Sequence, residues 1–243
     1  MFFNRFIVFG HRGSPATVLE NTLESLRFAC QTNVPAVEFD VMLTADGVPV
    51  LFHDQTLDRL AGRPERIDAL TAEQLSAVRL KTTYAIPRFA EVLDLLNIYR
   101  MPMNVEIKPS QKTEPVARKT AQTVIAALKE KGLDPSERVL ISSFSRAALH
   151  EVSVLSPKIE RALLIEAPAR DDFDFARSIG AGAVHVPLSV VSPDYVAAAA
   201  KSGLQVRVYT VNTAPEAMKV QQSGAAGVFS DKPQDMMKFF YRK

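Results

Sequence analysis

The sequence predicts an α/β fold, a closed (β/α)8 barrel, on three observations. Short β-branched runs alternate with amphipathic stretches along the chain. That pattern builds parallel sheets, because parallel neighbours need a long crossover between them. At 243 residues the chain has the size at which such barrels stay undivided. The helical stretches also carry stop signals, with Gly132, Gly180, Gly203 and Gly224 at their ends. A doubly wound open sheet is the other arrangement that this alternation permits.

The first run, RFIVFG (5–10), ends at the glycine of GHRG, and the helical pattern Asn21–Gln31 follows, opening with the cap chemistry of NTLE. AVEFDVML (36–43) and VPVLFH (48–53) come next, with only TADG between them, too short a link for parallel neighbours. Asp46-Gly47 is a two-residue hairpin signal. Taken as the turn of a hairpin Ala36–Phe52, it pairs Ala45 with Val48 and sets Asp40 opposite His53. Phe39, Val41, Leu43, Val48, Val50 and Phe52 then share an apolar face, and Glu38, Asp40 and His53 share the other.

Residues 55–83 interrupt the alternation with polar turn chemistry and one short helix capped by Thr71 and Gln74. They read as a small insertion after the His53-Asp54 motif, over one end of the barrel. Helical patterning resumes in IPRFAEVLDLLNIY (86–99). Strand and helix then alternate to the end: MNVEIK, Glu114–Lys131, RVLISSF, Ser145–Leu155, RALLIE, Asp172–Ile179, GAVHV, Pro193–Lys201, LQVRVYT, Pro215–Gln222, AGVFS and Pro233–Phe240. The whole chain, 1–243, is read as one barrel domain.

Composition narrows the function. With 47% hydrophobic and 23% charged residues, the chain has ample material for a core. Its net charge of +2 is scattered, which argues against a nucleic-acid surface or a polybasic membrane patch. The single cysteine, Cys30, excludes an internal disulfide framework and lies at helical spacing as a small buried residue. MFFNRFIVFG lacks the h-region of a signal peptide, and no apolar run approaches a membrane span. The expectation is a soluble, cytoplasmic protein.

The chemistry concentrates at predicted strand ends. GHRG places a titratable His11 and a fixed cation, Arg12, directly after the first strand, where barrel sites lie. Glu38 and Asp40 are two apart on one strand, so they point the same way, as do Glu106 and Lys108 in NVEIK. Three carboxylates converging in a barrel repel one another unless a cation joins them, and all-oxygen ligation suits Mg²⁺ or Ca²⁺. A buried ion-pair network with Lys108 or Arg12 is the structural alternative. His53 and His11 supply two imidazoles able to act as general acid and base. His185, at the strand end in AVHVP, is placed to reach the barrel mouth, whereas His150 falls on a helix as a surface or packing residue. A metal, two histidines and two cations describe a catalyst of displacement at a phosphate ester. The sequence has no GxSxG elbow, P-loop or dinucleotide fingerprint.

These residues resemble the glycerophosphodiester phosphodiesterase family, most closely its cytoplasmic bacterial members. GHRG, ENT, EFDV, DGVPVLFHD, NVEIKP, SSF, VYTVN and GVFSDKP occur in the family's order over nearly the whole chain. The resemblance implies a TIM-type barrel, a divalent cation on Glu38, Asp40 and Glu106, and His11 and His53 as the acid/base pair. It implies that Arg12 and Lys108 contact phosphate. Tyr209 stands where many members carry tryptophan and is expected to line the glycerol or leaving-group pocket, with Phe144 shaping the same mouth. Leu19 replaces the usual proline before ENT, and Ser230 replaces a threonine in SDKP. The expected reaction is metal-dependent hydrolysis of a glycerophosphodiester to sn-glycerol 3-phosphate and an alcohol. A lysophospholipase D-like or cyclising activity on lysolipids is the rival enzyme, for which the apolar start MFFNRF and end MMKFFYRK are the only support. A catalytically silent glycerophosphate-binding module is the non-enzymatic rival.

Overall fold

The computed structural model describes residue 3 and residues 5–241. Its strands are β1 (Ile7–Gly10), β2 (Ala36–Leu43), β3 (Pro49–Leu51), β4 (Met103–Ile107), β5 (Val139–Ser143), β6 (Glu160–Leu164), β7 (Ala183–Pro187), β8 (Gln205–Tyr209) and β9 (Gly227–Ser230). Its helices are α1 (Leu23–Gln31), α2 (Asp58–Ala61), α3 (Ala72–Ser76), α4 (Phe89–Ile98), α5 (Glu114–Glu130), α6 (Arg146–Leu155), α7 (Asp172–Ser178), α8 (Pro193–Lys201), α9 (Ala214–Ser223) and α10 (Pro233–Phe240). All strands except β3 pair in parallel and close into an eight-stranded (β/α)8 barrel, β9 returning to β1 along Ile7↔Gly227 to Gly10↔Ser230. Gly227 makes that seam possible, since a Cβ there would lie 2.6 Å from Ile7 O.

Period-2 alternation divides each strand between two environments. Val37, Phe39 and Val41 of β2, Val105 and Ile107 of β4, and Val206 and Val208 of β8 pack outward beneath the helices. The other faces fill the lumen in layers, as closed barrels require. The lower layer is largely apolar, with Ile7, Phe9, Leu140 and Phe229 around the buried guanidinium of Arg207, plugged from below by Phe3, whose ring stacks on Phe9 at 6.1 Å. Burying one such phenylalanine contributes about 2–3 kcal/mol. The upper layer is polar and carries the site.

Two local expectations are corrected. The helix read from Asn21 begins at Leu23: Asn21 has a left-handed φ of +53°, and Thr22 is the N-cap, its side chain accepting from Ser25 N–H. The hairpin is one residue out of the expected register. Val41 faces Leu51 and Met42 faces Val50, and Phe52 N–H donates to Asp40 O at 3.2 Å. Phe52, not His53, therefore lies across from Asp40.

The cause is in the turn. A two-residue type I′ loop needs positive φ at both central residues, and of Asp46 and Gly47 only Gly47 has it, at +78°. The loop instead spans Ala45-Asp46-Gly47. Gly47 N–H donates to Thr44 O (3.0 Å), Thr44 N–H to Val48 O (3.0 Å), and Val48 N–H to Thr44 Oγ1 (2.9 Å). The extra loop residue exchanges the faces. Leu51 joins Val41 in the outer core, while Val50 and Phe52 join Met42.

Met42, Val50 and Phe52 pack into a second apolar cluster with Leu57, Leu60, Ile67, Leu75, Val78 and Leu80. This cluster holds α2, a 3₁₀ turn (Ile67–Ala69) and α3 against the rim, and α3 carries the expected Thr71/Gln74 capping box. Among the described residues no helix is long and apolar enough to cross a membrane. Of the apolar ends, residues 1, 2, 4, 242 and 243 lie outside the described residues.

Candidate active site

The loop after β1 is built on close packing. A Cβ on Gly10 would meet Gly13 O at 2.1 Å, and one on Gly13 (φ +96°) would meet Ser25 Oγ at 2.4 Å. The glycines of GHRG thus let the loop pack closely on itself and on α1. Between them Arg12 is held at φ +52°, a region costly for a side-chain-bearing residue. Its backbone N–H donates to Glu38 Oε2 (2.9 Å).

Glu38, Asp40 and Glu106 meet inside the barrel, each offering one oxygen within 4.8 Å of the others. The β2–β4 register sets Asp40 beside Glu106. Asp40 is fully committed: Asn21 Nδ2 donates to Oδ2 (2.8 Å), Arg12 Nε lies 3.4 Å from the same oxygen, and Lys108 Nζ lies 3.4 Å from Oδ1. Burial would raise its pKa, but Lys108, Arg12 and His53 outweigh that and hold it well below the carboxylate range. Glu38 and Glu106 go the other way, pushed up by burial and then by the neighbouring carboxylates. Glu38 Oε1 and Glu106 Oε1 are buried without a hydrogen bond. Two orphaned oxygens in an all-oxygen cluster fit a hard divalent cation.

Both histidines carry a carboxylate partner. His11 Nδ1 lies 2.7 Å from Asp231 Oδ1, and His53 Nδ1 lies 2.7 Å from Asp54 Oδ1. Each carboxylate is itself held: Asn212 Nδ2 donates to Asp231 Oδ2 (2.8 Å), and Arg59 Nε donates to Asp54 Oδ2 (2.6 Å). Both aspartates stay below the usual carboxylate range, their donors outweighing burial. Each ring therefore keeps a proton on Nδ1 and leaves Nε2 for proton exchange. Burial lowers the pKa of His53 from the ordinary imidazole value, and Arg12 and Lys108 add to that effect against the opposing charge of Asp40.

His11, His53, Arg12, Glu38, Glu106 and Lys108 line one cavity of about 260 Å³, with Phe144 and Tyr209 at its mouth. Phe144 is 46% exposed and meets Tyr209 edge-on at 6.2 Å. Tyr209 is fixed by its hydroxyl, which donates to Ile165 O (2.8 Å). A second cavity of about 610 Å³ shares Glu106, Lys108, Phe144 and Tyr209 and runs outward past Glu166 and Lys112. His185 sits deep in the lumen, fully buried, and not on the rim. Arg12 is less open than its motif implies, since its NH1 is paired with Glu20 (2.7 Å).

Several residues of the site are silent in sequence patterning. Asp231 lies 220 positions from His11, and only closure of β9 on β1 joins them. Asn21 was legible only as a helix cap. Glu20 and Arg59 form a bridge, Arg59 NH1 and NH2 donating to Glu20 Oε2 (2.8 Å) and Oε1 (2.7 Å), which ties α2 to the arms of both Arg12 and His53. Asp54 was visible in the HD pair, and its contact with His53 was the part within reach.

The family model for the glycerophosphoryl diester phosphodiesterase family matches residues 11–235. A curated relative, the glycerophosphodiester phosphodiesterase of Caldanaerobacter subterraneus subsp. tengcongensis, is 27% identical over 95% of this chain and 96% of its own. Among solved structures, a phosphodiesterase of Oleispira antarctica, in complex with the product sn-glycerol-3-phosphate, superposes with a TM-score of 0.90 at 29% identity over 98% of both chains. The glycerophosphodiester phosphodiesterase of Thermotoga maritima gives a TM-score of 0.76 at 25% identity, over 97% of this chain and 99% of that one. With motif order, barrel and site chemistry in agreement, the chain belongs to the glycerophosphoryl diester phosphodiesterase family and is an enzyme of that class.

Proposed function

We propose that the chain hydrolyses glycerophosphodiesters to sn-glycerol 3-phosphate and an alcohol, with His11 and His53 as the proton-transfer pair. The observation that carries this is the pair of Nδ1-anchored imidazoles lining the same cavity as Glu38 and Glu106 of the three-carboxylate cluster. Glu38, Asp40 and Glu106 would hold one divalent cation, Mg²⁺ or Ca²⁺. When bound it supplies charge neutralisation and polarisation of a phosphate oxygen. Lys108, 3.8 Å from Glu106, adds a cation for the developing phosphoryl charge, and Arg12 supports it from behind its pairing with Glu20.

One histidine, through its free Nε2, takes the proton of the glycerol 2-hydroxyl, which attacks phosphorus. The other, carrying a second proton on Nε2 as an imidazolium, gives that proton to the departing alcohol, and water opens the cyclic phosphate with the roles exchanged. Phe144, Tyr209 and His185 border the space left for the glycerol and leaving groups. The single buried cysteine suits a reducing, cytoplasmic setting, and residues 55–83 serve as an insertion within one barrel domain. The test is release of sn-glycerol 3-phosphate from glycerophosphocholine with Mg²⁺ or Ca²⁺, abolished by chelation. His11→Ala and His53→Ala should each lose at least about a hundredfold in kcat. No product with either cation from folded protein refutes the reading.

A further inference from the structure

The cavity ends on a floor where two polar side chains each keep one atom without a protein partner and take no part in those steps. Asn104 of β4 is 1% exposed, and its Nδ2 donates to Ser142 Oγ (2.9 Å), which leaves Oδ1 buried without a hydrogen bond. His185 of β7 is 0% exposed, its ring 4.7 Å from that of Phe229, and its Nδ1 is likewise unpartnered. Both line the 260 Å³ cavity. An unsatisfied buried donor or acceptor costs about 1–3 kcal/mol, so two on residues that line one cavity point to a ligand that answers them.

The other ring nitrogen decides what His185 offers. Arg207, fully buried on β8, sets NH1 3.3 Å from His185 Nε2. A guanidinium only donates, so Nε2 accepts. Burial and then the charge of Arg207 keep the imidazole neutral, and its one proton is therefore on Nδ1. Arg207 cannot turn away, because NH2 is held by Phe3 O (2.9 Å), Gln205 Oε1 (2.9 Å) and Glu160 Oε1 (3.2 Å). The floor thus presents one fixed N–H donor and one fixed carbonyl acceptor, both uncharged. Asn104 Oδ1 is a poor neighbour for phosphate, and His185 Nδ1–H is a poor neighbour for ammonium. Hydroxyl groups, which accept and donate, suit both.

We propose that Asn104 and His185 recognise the terminal hydroxyl of the substrate's glycerol moiety, the one that is not the nucleophile, and so select glycerol esters over esters of a diol lacking it. This rests on the reading that a glycerol phosphate occupies the cavity. Arg207 is the positioning residue, acting through the tautomer of His185.

The test compares glycerophosphocholine with its analogue built on propane-1,2-diol, which keeps the nucleophilic hydroxyl and lacks the terminal one. The expected preference in kcat/KM is at least about a hundredfold, within reach of a site built to hydrogen-bond a hydroxyl. In His185→Phe and Asn104→Leu, each checked by thermal melting, that preference should fall by about tenfold or more. Nitrogen-15 NMR of the His185 ring should show the proton on Nδ1 in the wild type and lose that signature in Arg207→Met. Calorimetry of sn-glycerol 3-phosphate against propane-1,2-diol 1-phosphate supplies an arm that needs no turnover. Binding that discriminates without turnover of either diester refutes the hydrolytic reading and supports the floor. Turnover of both diesters within about threefold, or full preference kept in folded variants, overturns the floor and leaves hydrolysis standing. If neither variant folds, the wild-type preference in turnover and binding decides alone.

Discussion

Replacing Asp231 with asparagine probes the tautomer of His11, and the surrounding bonds set the size of the effect. Asp231 Oδ1 takes the Nδ1 proton at 2.7 Å, while Oδ2 accepts from Asn212 Nδ2 at 2.8 Å. Asn212 is locked, because its own Oδ1 accepts from Asp231 N–H (2.8 Å) and from the Ser230 hydroxyl (3.1 Å). Asparagine at 231 would keep its oxygen on Asn212 and present its NH2 to His11. Nδ1 must then accept, and the ring proton moves to Nε2, the nitrogen needed as an acceptor. A wrong tautomer of this kind can cost roughly 10⁴-fold in kcat. The protein can restore the tautomer by flipping the amide, which sets two NH2 groups together and forfeits a hydrogen bond of about 1–3 kcal/mol. That cost limits the loss to roughly 5- to 150-fold. Asp54→Asn should be milder, since its second donor, Arg59, has a side chain 46% exposed and can withdraw. The measurements are kcat for sn-glycerol 3-phosphate release and nitrogen-15 NMR of the His11 ring. An Asp231→Asn enzyme within about threefold of wild type, or Asp54→Asn as the more damaging change, refutes the reasoning.

Glu38→Gln should weaken Mg²⁺ or Ca²⁺ binding by about tenfold or more in calorimetry, because it replaces an orphaned anionic oxygen with a neutral one. The cation's effect on Tm should grow between about pH 5.5 and about pH 8.5. Glu38 and Glu106 have folded pKa values raised above their unfolded ones, so without a cation their stabilising contribution is present at low pH and is lost as pH rises through the raised values. Bound cation takes over from those protons, and a Tm increment that shrinks with pH would contradict this. Arg59→Ala should lower kcat about three- to thirtyfold with a smaller change in KM, because it frees Asp54 and Glu20 together, and Arg59→Lys should restore only part of it. Equal kinetics in all three proteins would remove Arg59 from the positioning of His53.

Much of the architecture was legible because periodicity is local. The two-residue spacing of Glu38 and Asp40, and of Glu106 and Lys108, was enough to turn these side chains into one lumen once the strands were parallel. The hairpin register was misread from a dipeptide that serves two loop lengths. What separates the lengths is the φ of Asp46, whose neighbourhood is set by the Thr44 side chain and by the Ala72 N–H that donates to its carboxylate. Asp231, Asn212 and Arg207 escaped notice for another reason: their roles depend on partners such as His11 and His185, brought near by closure. Sequence spacing carries no record of that neighbourhood.

The seam between β1 and β9 has a consequence for how the enzyme comes alive after denaturation. The His11–Asp231 hydrogen bond spans 220 residues and depends on four ladder pairs between these two strands. Contacts of such separation form late, after loop-closure entropy has been met by shorter-range pairings. Helix content and much of the outer core should therefore return during refolding before turnover does. Recovered activity reports completion of the ring, and a refolding intermediate with an open seam would hold its carboxylate cluster while lacking a tuned His11.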